Sequence, residues 1–175
     1  VRPEDFWQEL IRFQKPEKPS PQKKGGLGFL MTVRRDAGMP TLEELRARFR
    51  SDCFATQALG AEIREAEPGC ALCAVRLRPE HMNANHTPMG GAIFTLADFA
   101  FAVAANGFAE NVTVSQHVSM TFLSPARGGE LLARARCLKA GRTTCLYEVE
   151  VRDELGAYVA HGTVNGFTLA PRAGD

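Results

Sequence analysis

The sequence predicts an α+β fold in which one long buried helix is wrapped by a curled antiparallel sheet of about five or six strands. Three observations lead there. Within NANHTPMGGAIFTLADFAFAVAANG (83–107), the second half places apolar side chains on every side of a helix, which demands that other structure surround it. The segments on either side alternate apolar and polar residues with the period of a half-buried strand. The later connectors, SPARGG, AGR and DELG, are short and rich in turn residues, so antiparallel neighbours are the simplest topology.

Residues 1–40 differ from the rest. They hold five of the ten prolines, a Gly-Gly pair and the stretch KPEKPSPQKK, a composition that supports no core, and they read as a flexible extension. Within it, Glu4 to Phe13 can form a short amphipathic helix with Phe6, Trp7, Leu10 and Ile11 on one face. The domain proper is expected over 41–170, with a short tail at 171–175.

Thr41 is a good N-cap for TLEELRARFR, and Glu44 completes a capping-box pattern. After Gly60 the pattern turns alternating: AEIREAE, a Pro68-Gly69 turn and CALCAVRLR form a hairpin. PEHM makes a single helical turn before the loop into the central helix. Beyond Gly107 come four strand-like runs, NVTVSQHVSMTFLS, GELLARARCLKA, RTTCLYEVEVRD and AYVAHGTVNGFTL. Arg134, Arg136, Glu148 and Glu150 mark the sheet's outer face as polar.

Composition excludes several function classes. The 175 residues carry 21 basic and 20 acidic side chains, mixed along the chain, which argues against a nucleic-acid footprint. The longest apolar run, Phe99 to Ala105, falls far short of the roughly 20 residues that span a bilayer. Five cysteines in apolar surroundings, without a secretory pattern before them, read as reduced core residues of a cytoplasmic protein. Cys70 and Cys73 form a C-x-x-C, but an offset of three on a strand puts them on opposite faces, so no metal site is expected. His81, His117 and His161 lack the spacing of a ligand set and read as ordinary surface or strand histidines. G-x-S-x-G, phosphate-loop and dinucleotide signatures are missing, and no cofactor is implied.

One residue in the central helix stands out. Asp98 is a carboxylate among Phe94, Phe99 and Phe101, where burial raises its pKa toward that of a working base. The bland alternative is a structural carboxylate bonded to nearby backbone or to Thr95. Gly90 and Gly91 open the same helix, where unpaired N–H groups and the helix dipole favour developing negative charge. Their alternative role is close packing against a strand. From Gly91 to Asp98 the helix rises about 10 Å, too far for one compact site. A two-fold dimer, in which each helix start faces the other copy's carboxylate, removes that difficulty.

Asn83, Gly90-Gly91, the FTLAD ending at Asp98, the FLSPA at 122–126 and Gly141-Arg142 together resemble the hotdog-fold acyl-CoA thioesterases, in particular their PaaI-type branch. The resemblance covers about Thr41 to Leu169. It implies a helix held in a curled sheet, subunits paired edge to edge as a homodimer or homotetramer, and hydrolysis of an acyl-CoA without metal. By the same resemblance, Asp98 matches the carboxylate that acts as nucleophile or general base, and Gly90 the N–H donor to the thioester carbonyl. Asn83 and Ser115 match residues that place the water or the carboxylate, and Arg142 a basic position near the CoA phosphates. Asn83 otherwise reads as a turn residue and Ser115 as a packing residue of a strand. The family often reads His-Gly-Gly, whereas Met89 precedes the glycines here, with His86 three residues earlier. That departure keeps open a non-catalytic acyl-CoA binding or sensing protein. A hotdog dehydratase or hydratase fits less well, because no histidine sits beside the helix start.

Overall fold

The computed structural model describes residues 38–170. The expected helix at 4–13 and the tail at 171–175 lie outside the described residues. Helix α1 (Leu42–Phe49) starts as the sequence predicts: Thr41 Oγ1 accepts the Glu44 N–H at 3.2 Å, and Glu44 Oε2 accepts the Thr41 N–H at 2.7 Å. Leu45 is buried, and Phe49 packs edge-on against Phe99. A π-helical turn (Phe54–Leu59), for which the sequence offered no signal, leads to the hairpin β1 (Glu62–Glu67) and β2 (Cys70–Arg76). A 3₁₀ turn (Pro79–His81) stands where PEHM predicts one, and helix α2 spans Gly90–Asn106. Four strands follow: β3 (Thr113–Phe122), β4 (Glu130–Ala140), β5 (Thr144–Asp153) and β6 (Tyr158–Thr168).

These strands form one open antiparallel sheet in the order β1-β2-β4-β5-β6-β3. The inner face supplies Cys73, Val75, Leu131, Tyr147, Val149 and Val164 to a single core around α2. From the helix, Leu96, Phe99, Phe101 and Val103 are each no more than 2% exposed, and such burial contributes about 2 kcal/mol per side chain. Cys73 faces this core while half-buried Cys70 lies on the opposite face. Among the described residues, no helix is long and apolar enough to cross a membrane.

Three expectations need correction. First, β3 and β4 are not neighbours: β3 pairs with β6 at the sheet edge, and β4 lies between β2 and β5. The connector at 123–129 reads as a tight turn, but seven residues reach roughly 23 Å when extended, enough to cross three strand spacings. Second, α2 is not covered all round. Gly91, Phe94, Thr95, Asp98 and Ala102 form a helical stripe that is exposed or half-buried, with Phe94 38% exposed, because the sheet of one chain curls around only part of the helix. Third, the outer face is not wholly polar: Ala74 pairs with Leu132, and with Leu72 they form a small buried cluster.

Candidate active site

Helix α2 begins without a conventional cap. Met89 occupies the N-cap with extended backbone and no side-chain hydrogen bond, and its side chain is exposed. Its carbonyl accepts the N–H groups of Ala92 and Ile93. Among the described residues, the N–H groups of Gly90 and Gly91 find no acceptor, so two donors and the positive end of the helix dipole face outward. Gly90 borders an open cleft of about 420 Å³, within the usual range for small-molecule sites. One wall is the loop and helix start, with Asn83, Thr87, Gly90 and Ile93; the other is Phe122 and the turn at 123–126. The Phe122 ring lies so close to Gly90 that a Cβ there would sit 3.2 Å from its Cζ. The close-packing role of Gly90 and its exposed N–H therefore coexist.

Asn83 organises the loop leading to that helix. Its Oδ1 accepts the N–H groups of Asn85 (2.8 Å) and Thr87 (3.2 Å), and its Nδ2 donates to Thr87 Oγ1 at 2.9 Å. The turn so formed holds His86 in the left-handed region at φ 59°, exposed. Met89 N–H bonds back to the His81 carbonyl at 2.8 Å. His81 itself departs from expectation. It is buried, its Nδ1 accepts the Arg78 N–H at 3.2 Å, and burial together with the Arg78 charge lowers its pKa. It serves as a structural cap under the loop.

Asp98 lies two turns further along α2, on the uncovered stripe and outside the cleft lining. Its Oδ1 is buried and has no hydrogen-bond partner among the described residues. Thr95 Oγ1 donates instead to the Gly91 carbonyl at 2.8 Å, so the local structural bond considered for Asp98 is not made. Desolvation raises the Asp98 pKa, the Ser115 hydroxyl facing it from β3 works the other way, and the Asp52 carboxylate raises it further. Such an acid, half out of solvent and without a cationic partner among the described residues, is the profile of a group held for proton transfer.

The structure thus sorts the sequence-predicted residues into two groups. Asn83, Met89, Gly90 and Gly91 gather at the start of α2, and Asp98 meets Ser115 near the start of β3. Arg142 belongs to neither. It is exposed in the β4–β5 turn, at the sheet end where β3 begins, across Thr144↔Phe167 and Val114↔Phe167. Thr87 and the ring of Phe122 were given no role from sequence. Thr87 could have been found from its place just before Pro88 and the helix start, and Phe122 from its membership of FLSPA. On the outer face, Glu148, Glu150 and His161 place ligand-type atoms within 4.8 Å of one another, but Arg136 (2.7 Å) and Arg152 (3.6 Å) already pair with the two carboxylates.

Residues 86–160 match the family model of the thioesterase superfamily. The chain is 31% identical over 121 residues to the acyl-coenzyme A thioesterase PaaI of Escherichia coli, covering 67% of this chain and 84% of that one. It belongs to the thioesterase superfamily. Its fold is the hotdog fold of that family. The TT0310 protein of Thermus thermophilus is 36% identical with a TM-score of 0.60, covering 65% of this chain and 96% of that structure. The smu.793 protein of Streptococcus mutans, solved with acetyl-CoA bound, is 26% identical with a TM-score of 0.59, covering 65% and 91%.

Proposed function

We propose that the chain hydrolyses an acyl-CoA thioester to the free acid and CoA, and that it does so as a two-fold dimer with composite sites. The observation that carries this reading is the half-buried Asp98 carboxyl, its Oδ1 without a hydrogen-bond partner among the described residues, on an uncovered helix stripe in a molecule whose uncapped helix start lies elsewhere. Asp98 accepts a proton from water as the water oxygen attacks the thioester carbonyl, or its own oxygen attacks to give a mixed anhydride that water then hydrolyses to the free acid. The Gly90 N–H of the other copy receives the charge that develops on the carbonyl oxygen, and the CoA thiolate departs. Asn83 holds the loop, and Ser115 orients the carboxyl or the water. Arg142 reaches toward the CoA phosphates. The acetyl-CoA bound by the Streptococcus mutans relative supports a CoA thioester as ligand.

The sheet edge supports the dimer. Among the described residues β3 has a free edge, and it ends in exposed Phe122, while exposed Phe94 lies on the open stripe of α2. Antiparallel pairing of β3 with its own copy sets register by simple counting, with the bulge between Ser115 and His117 taken as one extra residue. If the two-fold axis passes through Ser119, Ser115 stands opposite the other copy's Phe122. Phe122 packs on Gly90, and Ser115 faces Asp98, so this register joins the two half-sites.

One observation favours a second reading, binding without turnover: the N-cap position is filled by Met89, which offers no proton donor. A panel of short, medium, aromatic and long acyl-CoAs with a thiol-trapping readout separates the two. CoA release that Asp98→Asn abolishes in a folded protein supports hydrolysis. Binding without release across the panel overturns it.

A further inference from the structure

Because β3 sits at the sheet edge, the connector to β4 runs across the ends of β6 and β5, where beyond Ser124 no strand carbonyl among the described residues accepts the N–H groups of 127–129. Two adjacent carboxylates at the end of β5 take four successive N–H groups. Asp153 Oδ2 accepts the N–H groups of Arg127 (2.7 Å) and Gly128 (3.1 Å). Glu154 accepts those of Gly129 (2.6 Å) and Glu130 (2.9 Å). The second oxygen of Asp153 accepts from Leu155 (3.1 Å) and Ala157 (2.7 Å), closing the β5–β6 turn. Asp153 is 0% exposed, and four donors use it purely as an acceptor. At the other end of the connector, the Leu123 N–H donates to the Val159 carbonyl and Ser124 Oγ to the Tyr158 carbonyl, both at 2.8 Å. The residues between these anchors, 123–126, form one wall of the cleft.

We infer that Asp153 is a positioning residue for the cleft: it fixes the 123–126 wall, and with it Phe122, against the start of α2. The inference rests on the thioesterase reading above. The wall faces Asn83 and Gly90 across the opening, so its placement governs how tightly an acyl-CoA is gripped, while the reacting groups, Gly90 and Asp98, are both carried by α2 and not by the wall. Loss of the clamp therefore acts on substrate affinity and spares the chemical step.

Asp153→Asn replaces one acceptor oxygen with a donor, which cannot receive backbone N–H groups. The expected result is a KM for acyl-CoA raised about tenfold with kcat within about twofold, the signature of weakened uniform binding. Amide exchange, read without substrate, should show lost protection at Arg127 and Gly128 while α2 stays protected. Gly128→Ala is the second variant, because its Cβ would displace the Glu154 carboxylate from the Gly129 and Glu130 N–H groups and so open the clamp while leaving Asp153 in place. It should raise KM in the same direction, and it carries the test if Asp153→Asn fails to fold. An unchanged KM in folded variants, or exchange at 127–128 that does not respond to Asp153→Asn, overturns the inference. A wild-type protein that releases no CoA from any acyl-CoA instead overturns the thioesterase reading, and the exchange measurement still reports on the clamp.

Discussion

Phe122 roofs Gly90: the aromatic ring at the end of β3 lies over the first residue of α2 so closely that no side chain fits between them without a shift. A glycine here does two jobs, admitting the ring and presenting a free N–H, and substitution can separate them. Gly90→Ala adds the Cβ and keeps the donor. Gly90→Pro adds the same Cβ, with two further ring carbons closing back onto the nitrogen, and removes the donor, at the first helical position where proline is well tolerated, after a Met89 whose extended backbone suits a following proline. Gly90→Pro should lose a further 10²- to 10³-fold in kcat relative to Gly90→Ala, roughly the loss when one oxyanion donor is removed. Equal rates for the two folded variants would remove the N–H from the mechanism.

Asp98 links activity to pH with a definite sign. Its pKa is raised, chiefly by desolvation, and a general base works only when ionised, so kcat/KM should rise with pH through a limb above the ordinary aspartate range. Asp98→Asn should abolish that limb and lower kcat by about 10³-fold. Stability should move the other way. An acid whose folded pKa exceeds its unfolded one loses stability as pH rises between the two values and keeps that deficit above them. Thermal denaturation should therefore show Asp98→Asn to be more stable than the parent at neutral pH, with the gain vanishing below the unfolded pKa. A variant that melts lower at neutral pH would mean that the carboxylate holds the fold together.

The proposed register can be tested directly. If the two-fold axis passes through Ser119, two copies of that residue face each other across the β3 edges. Ser119→Cys should then form a covalent dimer under mild oxidation, because cross-strand Cα atoms in an antiparallel pair lie about 4.5–5.5 Å apart, within disulfide reach. Thr163→Cys, on the neighbouring strand β6 and opposite Ser119 within one chain, serves as a control that should remain unlinked. Cross-linking at Thr163 with none at Ser119 would place the interface elsewhere.

Much of this was legible before any coordinates. Apart from the π-helical turn at Phe54–Leu59, every element from α1 to β6 follows from capping, period and turn residues, and α2 is unmistakable because a helix apolar on nearly all sides has few other uses. Strand order was not legible for β3, since turn composition says that the chain reverses but not how far it travels first. The same gap hid the cleft, because the wall built from 123–126 exists only once β3 is carried to the edge. Phe94 was expected inside for a related reason: local periodicity marks which side chains seek burial, not whether their own chain or a second copy covers them. His81 and Asp153 were missed because their partners are backbone N–H groups, which no residue type announces.

The composite site yields the sharpest test. If each site takes Asp98 from one copy and the Gly90 N–H from the other, Asp98→Asn and Gly90→Pro are each inactive alone but not together. Mixed under conditions that allow subunits to exchange, they form heterodimers with one site carrying both lesions and one carrying neither. Random exchange makes about half of the dimers mixed, and half of their sites intact, so activity should recover to about a quarter of wild type. A site contained within one chain has no route to such rescue, since every chain in the mixture is damaged. Activity that stays at the level of the separate variants, with exchange verified by a tagged subunit, would therefore refute the shared site.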